Sequence, residues 1–324
     1  MSSILLFGAN GQLGRALVRH LEHHGFPAFP GCSNPSRRLL LHTPTRAQCD
    51  LRDEASITAL IHDCRPQVIL NAAAFTAVDR AETEKQQAHA INGSAVAAMA
   101  DAAARTSSWL VHFSTDYVFD GKLHRAYHEE DMPRPLSVYG QSKLEGEQAV
   151  LTSHCHHLIF RTSWLYSNGP GNFLSTILQR LQQNPSSPLN IIADTRGTPS
   201  SASRVASASL AALAQCLHAE PAHAPGGLYH LSAGGCTSWY DYAQFATQYA
   251  ETLGLVPCNS SARLHPITAS EWPAPAPRPQ NSQLNNLRFQ QQFGLTIPNW
   301  HDDVRLTLEL LARQPGGLTP PHEN

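Results

Sequence analysis

Charge is scarce and evenly split. Of 324 residues, 15% are charged, with 23 Lys and Arg against 25 Asp and Glu and a net charge of −2. Such a balance offers no basic stripe for a nucleic-acid backbone, and no nucleic-acid partner is expected. Long apolar runs are missing too. None approaches the ~20 residues that cross a bilayer, so no membrane partner is expected. Met1-Ser2-Ser3 leads straight into an apolar run, without a basic segment or a small-residue cleavage site, so the reading is of no signal peptide. The seven cysteines are odd in number, and none stands in a C-x-x-C pair. This argues against a disulfide framework and against a thiolate zinc site, and suits a reducing cytoplasm. The 18 histidines include two clusters, His20-His23-His24 and His154-His156-His157. No carboxylate completes a ligand set beside either, so they read as solvated helix ends and loops, and no metal site is expected.

What is present is an alternation of short apolar runs with longer helical stretches. Ile4–Phe7, Ala28–Cys32, Val68–Leu70, Trp109–Phe113 and Leu158–Phe160 read as strands. Residues 12–24, a stretch from near Asp53, Ala88–Ala104 and 139–152 read as helices. Repeated strand–helix–strand order predicts an α/β fold: a Rossmann-type, doubly wound parallel sheet with helices on both faces. This dinucleotide-type domain is expected over 1–162. A smaller α+β substrate lobe is expected over 163–314, with segments near 190–235 returning to the first domain. Helices are expected at 173–183, 203–218 and Trp239–Leu253, and strands at Leu189–Ile192 and Gly227–Leu231. The proline-rich run 272–282 cannot be a regular helix, and 315–324 reads as a flexible tail.

Gly8-Ala9-Asn10-Gly11-Gln12-Leu13-Gly14 sits between the first strand and the first helix. In that context the glycines allow a tight turn, close backbone approach to a pyrophosphate and close helix packing. The free N–H groups of Gln12, Leu13 and Gly14 at the helix start suit phosphate. The spacing, G-x-x-G-x-x-G, is one residue longer than the ordinary dinucleotide fingerprint. No acid follows Ala28–Cys32 to hold a ribose; Ser33, Arg37 and Arg38 follow instead. Arginines there can pair with a 2′-phosphate, which favours NADPH while leaving NADH open. Asp50-Leu51 suits an adenine amino group, or Asp50 caps the next helix. Ala72, Ala73 and Ala74, after Asn71, leave room for a cofactor against backbone.

Tyr139 and Lys143 stand at i and i+4, on one face of a helix. An ammonium beside a phenol favours the phenolate, so Tyr139 can serve as a general acid to a carbonyl oxygen. The pair alone would be an ordinary helix pair. It is joined by Phe113-Ser114-Thr115-Asp116 at the carboxyl end of a strand, where ligands bind in open α/β sheets. Thr115, rather than Ser114, is expected to polarise the carbonyl.

Together the glycine turn, NAAAFTAVDRAE (71–82), FSTDYVFDG (113–121), VYGQSK (138–143), IFRTSWLY (159–166) and RPQNSQL (278–284) resemble the dTDP-4-dehydrorhamnose reductases, a family of extended short-chain dehydrogenases/reductases. The resemblance spans nearly the whole chain. It implies NAD(P)H-dependent reduction of the 4-keto group of dTDP-4-dehydro-β-L-rhamnose. It implies Tyr139 as proton donor with Lys143 as partner, and Thr115 and Asp116 against the sugar. Trp164 would cover the sugar ring, or pack in the core. Ala74, Phe75, Thr76 and Phe113 would border the cofactor. Arg278, Asn281 and Ser282 would face the nucleotide end, or Arg278 would be a surface residue. Some members carry a glutamate just past the glycine turn that helps hold Mg²⁺ between two subunits. Here Arg15 and Ala16 stand there, so a metal-bridged dimer is not expected, while a homodimer as such stays open. Two other readings share the motifs: a reductase or epimerase of another nucleotide sugar, and a non-catalytic NADP-binding regulatory subunit of methionine adenosyltransferase.

Overall fold

The computed structural model describes residues 3–25, 40–184, 187–220 and 223–313. Six strands form one parallel sheet: β1 (Ser3–Phe7), β2 (Leu40–His42), β3 (Val68–Asn71), β4 (Trp109–Thr115), β5 (His157–Thr162) and β9 (Gly227–His230). Their order is β2-β1-β3-β4-β5-β9. The strand order reverses its sense between β1 and β3, β2 being added on one side of β1 and β3 on the other, and the carboxyl ends on either side of that point open a crevice. The sheet is an α/β Rossmann-type sheet, as the alternating pattern predicts. The central strands read as continuous apolar runs because both faces are covered. Ile4, Leu6, Val111 and Phe160 meet α1 (Gln12–His24) and α8 (Ala202–His218) on one face. Leu5, Ile69, Leu110 and Ile159 meet α2 (Glu54–Cys64) and α5 (Ala95–Thr106) on the other.

A second core gathers Tyr166, Leu174, Leu178, Tyr242, Ala246, Trp300 and Leu308. It lies among α7 (Phe173–Gln183), α9 (Trp239–Thr252) and α11 (Trp300–Ala312), beside the parallel pair β7 (Leu189–Ile192) and β10 (Leu264–Ile267).

Two local expectations change. The strand beside β1 is Leu40–His42, in register from Ser3↔Leu40 to Leu5↔His42. The expected strand Ala28–Cys32 lies outside the described residues. The stretch expected as one helix, Ala88–Ala104, is three pieces: α4 (Lys85–His89), a π-helical turn (Ala90–Ser94) and α5. A π-turn adds one residue per turn and re-aims the side chains it carries, here Asn92.

Candidate active site

The glycine turn follows β1 directly. Gly8 has φ +81, and a Cβ there would lie 2.6 Å from the backbone nitrogen of Ala73. A Cβ on Gly14 would lie 2.0 Å from the Gly8 carbonyl oxygen. Turn, helix and the end of β3 therefore meet through bare backbone. Gly11 caps α1 without a side-chain hydrogen bond, and no acid stands in the first turn. The first N–H groups of α1 thus keep the free donors and positive dipole end that suit a pyrophosphate. Ala72, Ala73 and Ala74 lie partly buried beside this turn, Phe75 is buried and Thr76 is exposed.

The ribose end departs from expectation. With β2 at Leu40–His42, its carboxyl end leads into Thr43, and Arg37 and Arg38 precede the strand instead of following it. Ser33, Arg37 and Arg38 lie outside the described residues. Asp50 is not the helix cap. Asp53 caps α2, accepting from Ala55 and Ser56 N–H. Asp50 accepts from the Arg52 guanidinium with both oxygens, at 3.0 Å for Nε to Oδ1. That arginine holds its carboxyl well below the usual range. Leu51 is partly buried next to it.

The catalytic wall is β4 facing α6 (Val138–Thr152). Ser137 caps α6 by accepting from Gly140 N–H at 3.2 Å, and Glu82 accepts from Val138 N–H at 2.9 Å. These bonds fix the turn that carries Tyr139. Thr115, at the end of β4, donates to Asp116 Oδ1 at 3.0 Å and accepts from Tyr117 N–H at 3.2 Å. It faces the Tyr139 phenol closely enough to lower its pKa, but apolar burial dominates and, with the Asp116 charge, pushes the phenol up to about 12. Lys143 is 2% exposed. Its ammonium turns to the Phe113 carbonyl oxygen at 2.7 Å, not to the phenol, so the lowering of Tyr139 expected from it does not enter. Desolvation brings Lys143 down to about 8, against the pull of Glu147. Asp116 is buried with Oδ2 unpartnered. Its burial, partly offset by Ser282 and Thr115, raises it to about 7.

Beyond Thr115 opens a cavity of about 670 Å³, lined among others by Tyr117, Trp164, Arg180, Trp239, Arg278 and Ser282. Trp164 has φ +42 and stacks on Trp239 with centroids 3.6 Å apart at 7°. A positive φ on a tryptophan is strained. Here the tight fit holds it, since a Cβ on Gly197 would fall 2.3 Å from the indole. Trp164 is thus both packed and part of the cavity wall. Arg278 also lines it, but pairs with Asp79 at 2.9 Å. Asp79 further accepts from Ala276 N–H at 3.2 Å, which pins the proline-rich run to the first turn of α3 (Val78–Ala81). Asn281 does not face the cavity. Its amide donates to the Leu123 and Arg125 carbonyls at 2.7 and 2.9 Å and ties two loops together. This corrects its expected place at the nucleotide end.

The model for the RmlD substrate binding domain matches residues 1–313. A dTDP-4-dehydrorhamnose reductase of Salmonella typhimurium is 38% identical over 307 residues, covering 94% of this chain and 97% of that protein. The chain belongs to this family. Among solved structures, a dTDP-4-dehydrorhamnose reductase of Clostridium acetobutylicum superposes with a TM-score of 0.80 at 29% identity, covering 95% of this chain and 99% of that one. The Bacillus anthracis enzyme, solved in complex with NADP, gives 0.80 at 27% identity over 96% and 100%.

Three groups of this family member's site escaped the sequence reading. Asn92 bonds the Phe75 N–H at 2.8 Å and the Phe75 carbonyl at 3.1 Å, and donates to Ser142 Oγ at 3.0 Å. It thereby ties the cofactor side of the site to the α6 turn. Its only signal was a lone amide inside an alanine-rich helix. His112 sits behind Lys143, hidden in an apolar strand. Arg180 and Trp239 reach the cavity from helices whose sequence shows ordinary amphipathic patterning.

Proposed function

We propose that the chain reduces the 4-keto group of dTDP-4-dehydro-β-L-rhamnose with NADPH, forming dTDP-β-L-rhamnose. The observation that carries this is a phenol and a hydroxyl, Tyr139 and Thr115, brought together at the carboxyl rim of β4. They stand between a cofactor-shaped glycine turn and a cavity large enough for a nucleotide sugar. Gly8, Asn10, Gly11, Gln12, Leu13 and Gly14 would hold the pyrophosphate. Ala72, Ala73, Ala74, Phe75, Thr76 and Phe113 would border the rest of the dinucleotide. When bound there, NADPH supplies the hydride that reduces C4 of the sugar.

The remaining chemistry belongs to the chain. Tyr139 keeps its proton far above neutral pH and can deliver it to the 4-oxygen as negative charge develops there. Asp116, which keeps its proton up to about 7, can donate to Thr115 in place of accepting from it, which frees the Thr115 proton to polarise the same oxygen. Lys143, one turn along α6 and bonded to the Phe113 carbonyl, would favour the phenolate that results once its ammonium turns toward Tyr139. Trp164 presents indole edge and face to the sugar. Arg278 and Arg180 offer guanidinium groups to the diphosphate.

The test is incubation of the purified chain with dTDP-4-dehydro-β-L-rhamnose and NADPH, with identification of the sugar produced. One NADPH should be consumed per dTDP-β-L-rhamnose formed. Cofactor binding without consumption would point instead to a non-catalytic binding subunit. An epimeric keto sugar without net oxidation would point to an epimerase.

A further inference from the structure

On the outer side of the glycine turn lies an open groove of about 560 Å³ that the chemistry of reduction does not use. Its walls are Ala9 and Asn10 of the turn, Leu41 and Thr43 at the end of β2, and Arg15 and Arg19 of α1. Gly14, Leu17 and Leu21 form the buried face of α1. Arg15, Val18, Arg19 and Glu22 follow at helical spacing on the flank toward β2. The groove thus joins the pyrophosphate turn to the carboxyl end of the second strand. In a sheet of this kind the adenosine ribose of a dinucleotide lies over that strand end.

Two observations say which ribose the groove suits. The first is that no acid stands from Leu40 to Cys49, and that Asp50 is taken by the Arg52 guanidinium. A carboxylate at the strand end would bind a bare 2′-hydroxyl and repel a 2′-phosphate; Thr43 carries no charge to do so. The second is the pair of guanidinium groups opposite. Arg15 is half-buried and donates through one nitrogen to the Asn10 carbonyl. That bond ties the arginine to the turn, and its planar fork has further N–H donors for a phosphate. Arg19, one turn on, is exposed and reaches Asn168 Oδ1 at 3.3 Å. Glu22 is the one acid on the wall among the described residues. Helix rise puts it about 10 Å beyond Arg15, a separation over which salt screens most of its charge. Arg46, past β2, is drawn to Asp50 at 3.8 Å.

We propose that Arg15 and Arg19 clamp the 2′-phosphate of NADPH against the end of β2, and that this clamp makes the chain prefer NADPH to NADH. The proposal rests on the reading of the glycine turn as a dinucleotide site, and deepens it by naming the residues that tell the two cofactors apart. Arg15 is the main contact, since its guanidinium is anchored at the turn and loses little freedom on binding. Arg19 adds charge from the solvent side. The role expected of Arg37 and Arg38 passes to these two residues of α1.

The test needs neither hydride transfer nor sugar. Calorimetry on the purified chain compares adenosine 2′,5′-bisphosphate with 5′-AMP, which differ only in the 2′-phosphate. The bisphosphate should bind more tightly. Arg15→Ala should weaken it by roughly tenfold or more, the size of one charge-assisted contact, and weaken 5′-AMP by less than about threefold. Arg15→Lys should recover part of that loss, because the charge remains and the fork does not. Arg19→Ala should cost roughly threefold, as an exposed ion pair does. Arg37→Ala with Arg38→Ala should leave the ratio nearly unchanged. The same pattern should separate NADPH from NADH in fluorescence titrations. A wild type that binds both mononucleotides alike overturns the proposal. So does an equal loss for both with Arg15→Ala, because the arginine would then only support the turn through Asn10. A ratio that survives Arg15→Ala combined with Arg19→Ala overturns it too. The proposed reduction stands or falls apart from this: a chain that makes dTDP-β-L-rhamnose while the ratio stays flat keeps that function and loses the clamp.

Discussion

The wall that carries Tyr139 and the rim that carries Arg278 are built in opposite ways. The wall is β4 and α6, joined by Arg161 of the neighbouring β5, and their polar groups satisfy one another in the dry interior. Ser114 donates to Glu147, Glu147 pairs with Arg161 at 2.6 Å, and Lys143 bonds the Phe113 carbonyl. The rim is assembled from segments far apart in sequence: α7, the start of α9 and the run 269–282. Its charges are half-exposed, and its geometry depends on a few tethers such as Asp79 to Arg278. Chemistry that requires fixed atoms sits on the first kind of structure. Recognition of a long ligand sits on the second, which can give.

If that contrast holds, substitutions in the wall should abolish function or folding, and those in the rim should only weaken binding. The largest effect expected is on turnover. Tyr139→Phe removes the proton donor and nothing else, so kcat should fall by on the order of a hundredfold or more. NADPH affinity, read by fluorescence titration, should stay nearly unchanged. A variant that turned over normally would remove Tyr139 from the acid role. Next is Glu147→Ala, which leaves Arg161 charged and unpaired at 3% exposure. A broken buried pair costs about 3–5 kcal/mol, visible as an earlier urea midpoint with an unchanged slope. A loss below about 1 kcal/mol, the size of a surface pair, would mean that water reaches the arginine and the wall is not dry.

The same contrast explains what could be read from sequence. The wall is local: Tyr139 and Lys143 share a helix face, and Thr115 ends a strand, so spacing alone brings them together. The glycine turn is legible for the same reason. Asn281 was placed at the nucleotide end by resemblance alone, whereas its amide bonds two carbonyls of one other loop, those of Leu123 and Arg125. Arg37 and Arg38 were placed by assuming that the second strand began at Ala28. The three-residue strand Leu40–His42 has no alternation long enough to announce itself, and only pairing with β1 defines it. Asn92 needed the π-turn, which leaves no period in a run of alanines. Arg180 and Trp239 needed the tertiary fold.

A smaller effect is expected at the rim. Arg278 is about one-third exposed and shares its charge with Asp79. Arg278→Ala should raise KM for the nucleotide sugar by roughly tenfold, as the loss of one charge-assisted contact does, with kcat within about twofold by the uniform-binding argument. An equal fall in kcat would mean that the rim also sets the reacting geometry, and the division drawn above would fail.

The last effect differs in kind: it lies where wall and rim meet, at Asp116, and it is a matter of pH. An unfolded aspartate ionises near ~3.9, whereas Asp116 in the fold keeps its proton up to about 7, chiefly because burial opposes the charge. Between those values the folded state binds more protons than the unfolded one, so stability falls as pH rises through the window and levels off above 7. Asp116→Asn carries no titrating group at this position, yet its amide oxygen can still accept from Thr115. The variant should therefore melt higher than the wild type above pH 7, and the difference should shrink steadily toward pH 4. A difference that stayed constant with pH would show that the carboxyl is ionised in the fold at ordinary cost. Its unpartnered oxygen would then have to be met by water from the cavity, which would make this corner part of the yielding rim rather than of the dry wall.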